Sequence, residues 1–217
     1  MISFAKERQD VADMCRTLAD AGYFAGTGGN LGLRLNDKLM AVTPTALDYY
    51  LIHAEDVVVL DIDTLTVVEG ERTPTVEKAL HAAMLKAHPD HGVSIHTHQP
   101  VASAVALSHE VLPWPAGTDR TGLGPHIAVI PYRPSGTGML AKVFRKNLRS
   151  DINAYLMASH GAICSAPDFQ AGLGVIRKID AAAAAFLRER LEKRANLDKQ
   201  LQASLLNTLN KIELMGA

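Results

Sequence analysis

Val93-Ser94-Ile95-His96-Thr97-His98 is the stretch from which the fold can be read outward. Val93, Ile95 and Thr97 alternate with Ser94, His96 and His98. That is the period of a β-strand, so both imidazoles fall on one face. Imidazoles at alternate strand positions stand side by side and can share one metal ion. A strand with two surface histidines has the same local sequence. Two other stretches bear on the choice: Glu77, upstream at a helix start, and His160, which ends an apolar run and precedes Gly161.

The length of 217 residues predicts one domain spanning 1–217. With 47% hydrophobic and 21% charged residues and a net charge of -1, the chain has the balance of a soluble globular protein. It lacks the basic excess of a general nucleic-acid binder. No apolar run approaches the roughly 20 residues that span a bilayer, so no membrane partner is expected. The N-terminus lacks the basic-then-apolar order of a secretion signal. Cys15 and Cys164 are too few for a disulfide scaffold, so a cytoplasmic location is expected.

Residues 5 to 21 read as an amphipathic helix, with Val11, Met14, Cys15, Leu18 and Ala19 at helical spacing, charges at the remaining positions and Gly22 as its stop. The glycine-rich turn Gly26-Thr27-Gly28-Gly29-Asn30 follows. Unpaired N–H groups in such a turn can hold an anion, although a hairpin without any ligand has the same local sequence. Strands are expected over 31–35, 39–42, 57–62 and 65–68. Thr73-Pro74-Thr75-Val76-Glu77 marks the start of a helix over Lys78 to Ala87. Glu77 sits at its partly positive end, where a dipole-complementing surface role is also open. His81, one turn on, can hydrogen-bond within the helix. Helices at 100–107, 139–148 and from the N-cap Asp168 to about Arg194 follow, with strands at 127–130 and 154–158. Leu197, Leu201, Leu205, Leu209 and Ile212 form a stripe on a C-terminal amphipathic helix at about 195–215. That stripe can pack on the domain or on a second subunit.

Taken together, five motifs resemble the class II aldolase/adducin-head family. Thr27-Gly28-Gly29-Asn30 and Val42-Thr43-Pro44-Thr45 look like its two phosphate turns. Glu77-Lys78-Ala79-Leu80-His81 is similar to its catalytic Glu-x-x-x-His helix. His96-Thr97-His98 looks like its metal pair, and Ser159-His160-Gly161 like its third ligand site. The resemblance implies a three-layer α/β/α fold around a mostly antiparallel sheet, assembled as a homotetramer with active sites between subunits. It implies that His96, His98 and His160 bind Zn²⁺, or another divalent metal such as Mn²⁺ or Co²⁺. Glu77 would move the proton, for which burial would have to raise its pKa. Gly29, Asn30, Thr45, Ala46 and Thr75 would grip the phosphate of a small phosphorylated sugar.

The chain also departs from the pattern. Thr75-Val76 stands where aldolases often have Ser-Ser, Ala46 where glycine is common and Gly32 where serine is usual. No tyrosine matches the aldolase acid. Asp119 lies near that region and is the candidate for the role, as in the epimerase. Pro131-Tyr132-Arg133-Pro134-Ser135-Gly136 resembles a turn of the decarboxylase. The implied activity is an aldolase-type lyase working on a phosphorylated ketose or keto-acid through a metal-stabilised enediolate. Alternatives on the same site are a 3-oxo-tetronate 4-phosphate decarboxylase and a sugar-phosphate 4-epimerase. An alternative of another class is a non-catalytic adducin-like scaffold, which would lack the metal histidines that this chain keeps.

Overall fold

Every strand of the central sheet carries small or branched apolar side chains on at least one face, and helices cover both. In this computed structural model the described residues are 2–24, 26, 28–194 and 198–215. The strands are β1 (Asn30–Arg34), β2 (Leu39–Val42), β3 (Val58–Asp61), β4 (Val67–Glu69), β5 (Val93–Thr97), β6 (Ala128–Ile130), β7 (Ala154–Met157) and β8 (Gly161–Ala166). They form one sheet in the order β4-β3-β2-β1-β5-β8-β7-β6. All neighbours are antiparallel except β6 and β7, which run parallel.

Helices α1 (Ala5–Asp20), α3 (Pro100–Ala106) and α5 (Phe169–Lys193) cover one face. There Val11, Leu18, Val101, Ile176 and Ile179 pack on Leu31, Val93, Ile95, Leu156 and Cys164. Helices α2 (Lys78–Ala87) and α4 (Gly138–Asn147) cover the other face, with Leu80, Met84, Leu140 and Phe144 against Tyr155, Met157 and Ile163. The period of two sorts β5 as expected. Val93 and Ile95 enter the first core, while His96 turns to the α2 side. The α/β/α layering implied by the motifs is therefore the observed fold.

Three details differ from the sequence expectation. Gly161–Ala166 adds a strand, β8, between β5 and β7, where no element was expected. Its residues are small and of low strand propensity, and burial on both faces rather than propensity sets their conformation. Arg8 of α1 is 1% exposed instead of lying on the outer face. Its guanidinium reaches Glu69 of the edge strand β4 at 2.6 Å and donates to the carbonyls of Ala54 and Glu55. The last helix, α6 (Lys199–Met215), buries only part of its stripe. Leu209 and Ile212 pack on the core, Leu201 and Leu205 stay exposed, and Leu197 lies outside the described residues.

Gly161 opens β8 where the end of β5 and two histidine rings crowd it. A Cβ there would meet the Thr97 carbonyl oxygen at 2.4 Å and the His98 ring at 2.8 Å. Gly161→Ala is expected to lower stability by about 1–3 kcal/mol, as overpacking does. The check is a urea unfolding curve, and an unchanged midpoint would contradict this packing.

Candidate active site

Three imidazoles and one carboxylate meet where β5, the turn into β8 and the start of α2 converge. His96 is buried on β5, and its Nδ1–H donates to the Ala162 carbonyl of β8 at 2.8 Å. This bond fixes the tautomer and turns a bare Nε2 inward. His98 follows just past the strand end, with its Nε2 2.8 Å from that of His96. His160 lies in the β7–β8 turn. The three ring centroids are 4.6, 4.8 and 5.0 Å apart, and the nitrogens all lie within 4.8 Å of one another.

Glu77 is the N-cap residue of α2 and is 4% exposed. Its Oε2 lies 3.2 Å from His96 Nε2, and its Oε1 lies 3.3 Å from His160 Nε2. Asn30 Nδ2 donates to Oε2 at 2.9 Å, and the Ser135 hydroxyl donates to Oε1 at 2.8 Å. Burial pushes the carboxyl pKa up, as the sequence led one to expect. The imidazoles of His96 and His160 and the bonds from Asn30 and Ser135 outweigh it and hold Glu77 well below the usual carboxylate range. Glu77 is therefore ionised, not poised near neutrality. Burial pushes His96 down to about 3 and lowers His98 and His160, so the imidazoles are neutral at physiological pH.

This set fits a divalent cation. It offers three nitrogens within 4.8 Å of one another, with a carboxylate beside two of them, and His160 Nδ1 is a buried polar atom without a hydrogen-bond partner among the described residues. His96, His98 and His160 could hold the ion, and imidazole donors of this number suit zinc among others.

A cavity of ≈ 140 Å³ joins these groups to the glycine turn. His98, His160, Glu77 and Ser135 line one side, and Gly28, Gly29, Thr45, Ala46 and Thr75 line the rest. Among the described residues, no lysine or arginine lines it. An anion at the glycine end would thus be held by backbone N–H groups and hydroxyls. Gly29 is obligatory there, since its φ is +115° and a Cβ would stand 2.3 Å from the Phe24 ring. Ala46 has a φ of 54°, which accounts for the glycine common at this turn in the family it resembles.

Nine of the ten residues singled out from the sequence meet here, but not all in the expected posture. The Asn30 side chain is committed at both ends, to Glu77 and to His81, leaving its backbone for any anion. Thr75 is buried, and its hydroxyl accepts from the Glu77 N–H. Asp119 does not join them. It is exposed on a turn, where its carboxylate accepts from the Thr121 N–H and lies 3.6 Å from Lys178. Ser135 was noted in the sequence only as part of a familiar turn, and nothing there signalled its bond to Glu77. His81 bonds outside its helix, to Asn30 and to Ser94.

Comparison with known proteins places this fold and site in one family. Residues 9–187 match the model of the family described as Class II Aldolase and Adducin N-terminal domain. The chain is 32% identical over 176 residues to a 5-deoxy-D-ribulose 1-phosphate aldolase of Bacillus thuringiensis serovar kurstaki, covering 81% of each protein. It is 26% identical to a 3-oxo-tetronate 4-phosphate decarboxylase of Haemophilus influenzae, over 96% of this chain and 94% of that one. A solved L-fuculose 1-phosphate aldolase superposes with a TM-score of 0.76 at 26% identity, over 97% of this chain and 98% of the other. The chain belongs to the class II aldolase family and is an enzyme of its lyase branch.

The buried imidazoles make stability depend on pH. Burial holds His81 at about 4, and burial with the neighbouring His88 holds His91 at about 4, against 6.5 for a free imidazole. Below pH 6.5 the unfolded chain binds protons that the folded chain refuses, so stability falls as the pH drops towards 4. His81 alone contributes about 1.4 kcal/mol per pH unit within that window. The urea midpoint of chelated protein is expected to fall steadily between pH 7 and pH 4.5, and a flat profile would contradict the buried neutral histidines.

Proposed function

We propose that the protein is a metal-dependent aldolase that cleaves a small phosphorylated ketose at the cavity beside Glu77. The observation that carries this is the Glu77 carboxylate, 3.2 and 3.3 Å from two histidines of the triad, at the floor of a cavity whose far end is a glycine turn. His96, His98 and His160 would hold the ion, for which zinc is proposed. When bound, it would supply the positive charge that polarises a substrate carbonyl.

The glycine turn, Thr45 and Ala46 would fix the phosphate, placing the carbonyl carbons near Glu77. Glu77 would take the proton of the hydroxyl beyond the bond to be cleaved. As that C–H-bearing carbon becomes an aldehyde, the electron pair of the C–C bond passes to the carbonyl side as an enediolate. Return of a proton to the enediolate carbon, again from Glu77, completes the cleavage. Asn30 and Ser135 keep the two carboxylate oxygens apart in role, one facing β1 and one facing the 135 turn.

The homotetramer also stands as a proposal. Val76, beside Glu77 on the cavity wall, is 59% exposed, and Tyr132 and Met139 are exposed as well. Apolar surface of this kind is what a neighbouring subunit would cover. Decarboxylation is the second reading, favoured by the near full-length similarity to the decarboxylase.

Purified protein is expected to carry near one divalent ion per chain and to cleave a phosphorylated ketose in a chelator-sensitive way. Glu77→Gln should lower kcat by about 10²–10⁴-fold while retaining the ion. His98→Ala should lose the ion. Wild-type turnover by the Glu77→Gln protein, or undiminished activity without metal, would sink the mechanism. Release of CO₂ from a phosphorylated keto-acid in place of aldehyde would identify the decarboxylase.

A further inference from the structure

His81 takes no part in the scheme above, yet it is completely buried and lies one helical turn from Glu77. Its Nε2 is 2.6 Å from Asn30 Oδ1, and its Nδ1 is 2.9 Å from Ser94 Oγ. We propose that His81 is a positioning residue, which orients the Asn30 amide and through it holds the Glu77 carboxylate in its working posture.

The direction of every bond in this chain follows from the posture of the Asn30 amide. The Asn30 Nδ2, which can only donate, faces Glu77 Oε2 at 2.9 Å. The Asn30 carbonyl oxygen then faces His81, and the ring must donate from Nε2–H. The neutral ring is left with a bare Nδ1, which the Ser94 hydroxyl fills by donating. A flipped Asn30 would set its oxygen against the carboxylate, and a ring protonated only on Nδ1 would set two acceptors against each other. With its proton on Nε2, His81 admits only the orientation of Asn30 that binds Glu77.

The backbone is arranged to admit this ring. Gly32 on β1 pairs with Ser94 on β5, and Asn30 pairs with His96. A Cβ on Gly32 would stand 2.7 Å from the Cβ of His81. Gly32 thus gives His81 room between the two strands it joins. Ser94 and His96 share one face of β5, so the relay closes a circuit from β5 through α2 and β1 back to the carboxylate beside His96.

The proposal rests on Glu77 being the proton-moving group, and one of its tests is independent of turnover. In full-length protein labelled with ¹⁵N-histidine, His81 is expected to carry its proton on Nε2 at neutral pH, with Nδ1 of the unprotonated type. The opposite tautomer, or a cationic ring, would overturn the relay. In kinetics, His81→Phe is expected to lower kcat about 10- to 100-fold with KM and metal content nearly unchanged. His81→Gln, whose amide can donate to Asn30, should recover most of that loss. In an Asn30→Ala background, His81→Phe should add less than about twofold. Equal losses in both backgrounds, or no recovery with glutamine, would refute it. Should His81→Phe not fold, Ser94→Ala reads the same route with an expected loss of about 2- to 10-fold, and no loss would count against the relay. If the wild type cleaves no sugar phosphate, the aldolase mechanism fails and the tautomer still decides the relay.

Discussion

A single ionised carboxylate, buried at the start of a helix, is the constraint to which the polar interior answers. Glu77 is 4% exposed, and an unpaired charge at that depth would cost several kcal/mol. Asn30, Ser135, His96 and His160 surround it from four different segments. Each segment is held by its own structural reason: the β1–β5 ladder, the turn before α4, the core-facing alternation of β5, and the β7–β8 hairpin. The carboxylate is thus the common partner of elements that share little sequence proximity.

The electrostatics are one-sided. Around that negative charge stand imidazoles that burial keeps neutral, and among the described residues the cavity wall has no lysine or arginine. A site with a fixed anion, lone pairs turned inward and no basic side chain is complementary to a small cation. The same features make sense of the buried Cys15 and Cys164, whose thiols burial pushes far up and leaves inert. Neither is available to compete as a ligand.

Much of this was legible in the sequence, for identifiable reasons. Period-two alternation placed His96 and His98 together, the Thr-Pro-Thr start announced α2, and Asp168 proved to cap α5 through the Ala171 N–H. These signals are local. β8 was illegible because Gly-Ala-Ile-Cys-Ser-Ala has no strand signature of its own, and its two neighbours impose it. Arg8 was illegible because helical periodicity sorts charges outward, whereas the carbonyls at 54 and 55 draw this one in. The pKa of Glu77 was misjudged for a related reason. Burial is readable from an apolar neighbourhood, but the donors that oppose it come from residues 30 and 135. Gly32 looked like a departure from a family pattern and is instead a space left for a ring 49 positions away.

The glycine end of the cavity has a different kind of permanence. Gly29 is pinned by the Phe24 ring, Ala46 holds a left-handed backbone, and the Tyr49 hydroxyl donates to the Gly29 carbonyl at 2.7 Å. A cradle made from the path of the main chain cannot be retuned by exchanging one side chain for another. Whatever anion it accepts, it would accept from every substrate bearing that group. Discrimination among such substrates must then arise outside both the cradle and the histidine cluster, where exposed side chains such as Val76 border the cavity. The fold in this way separates a fixed handle from an adjustable blade.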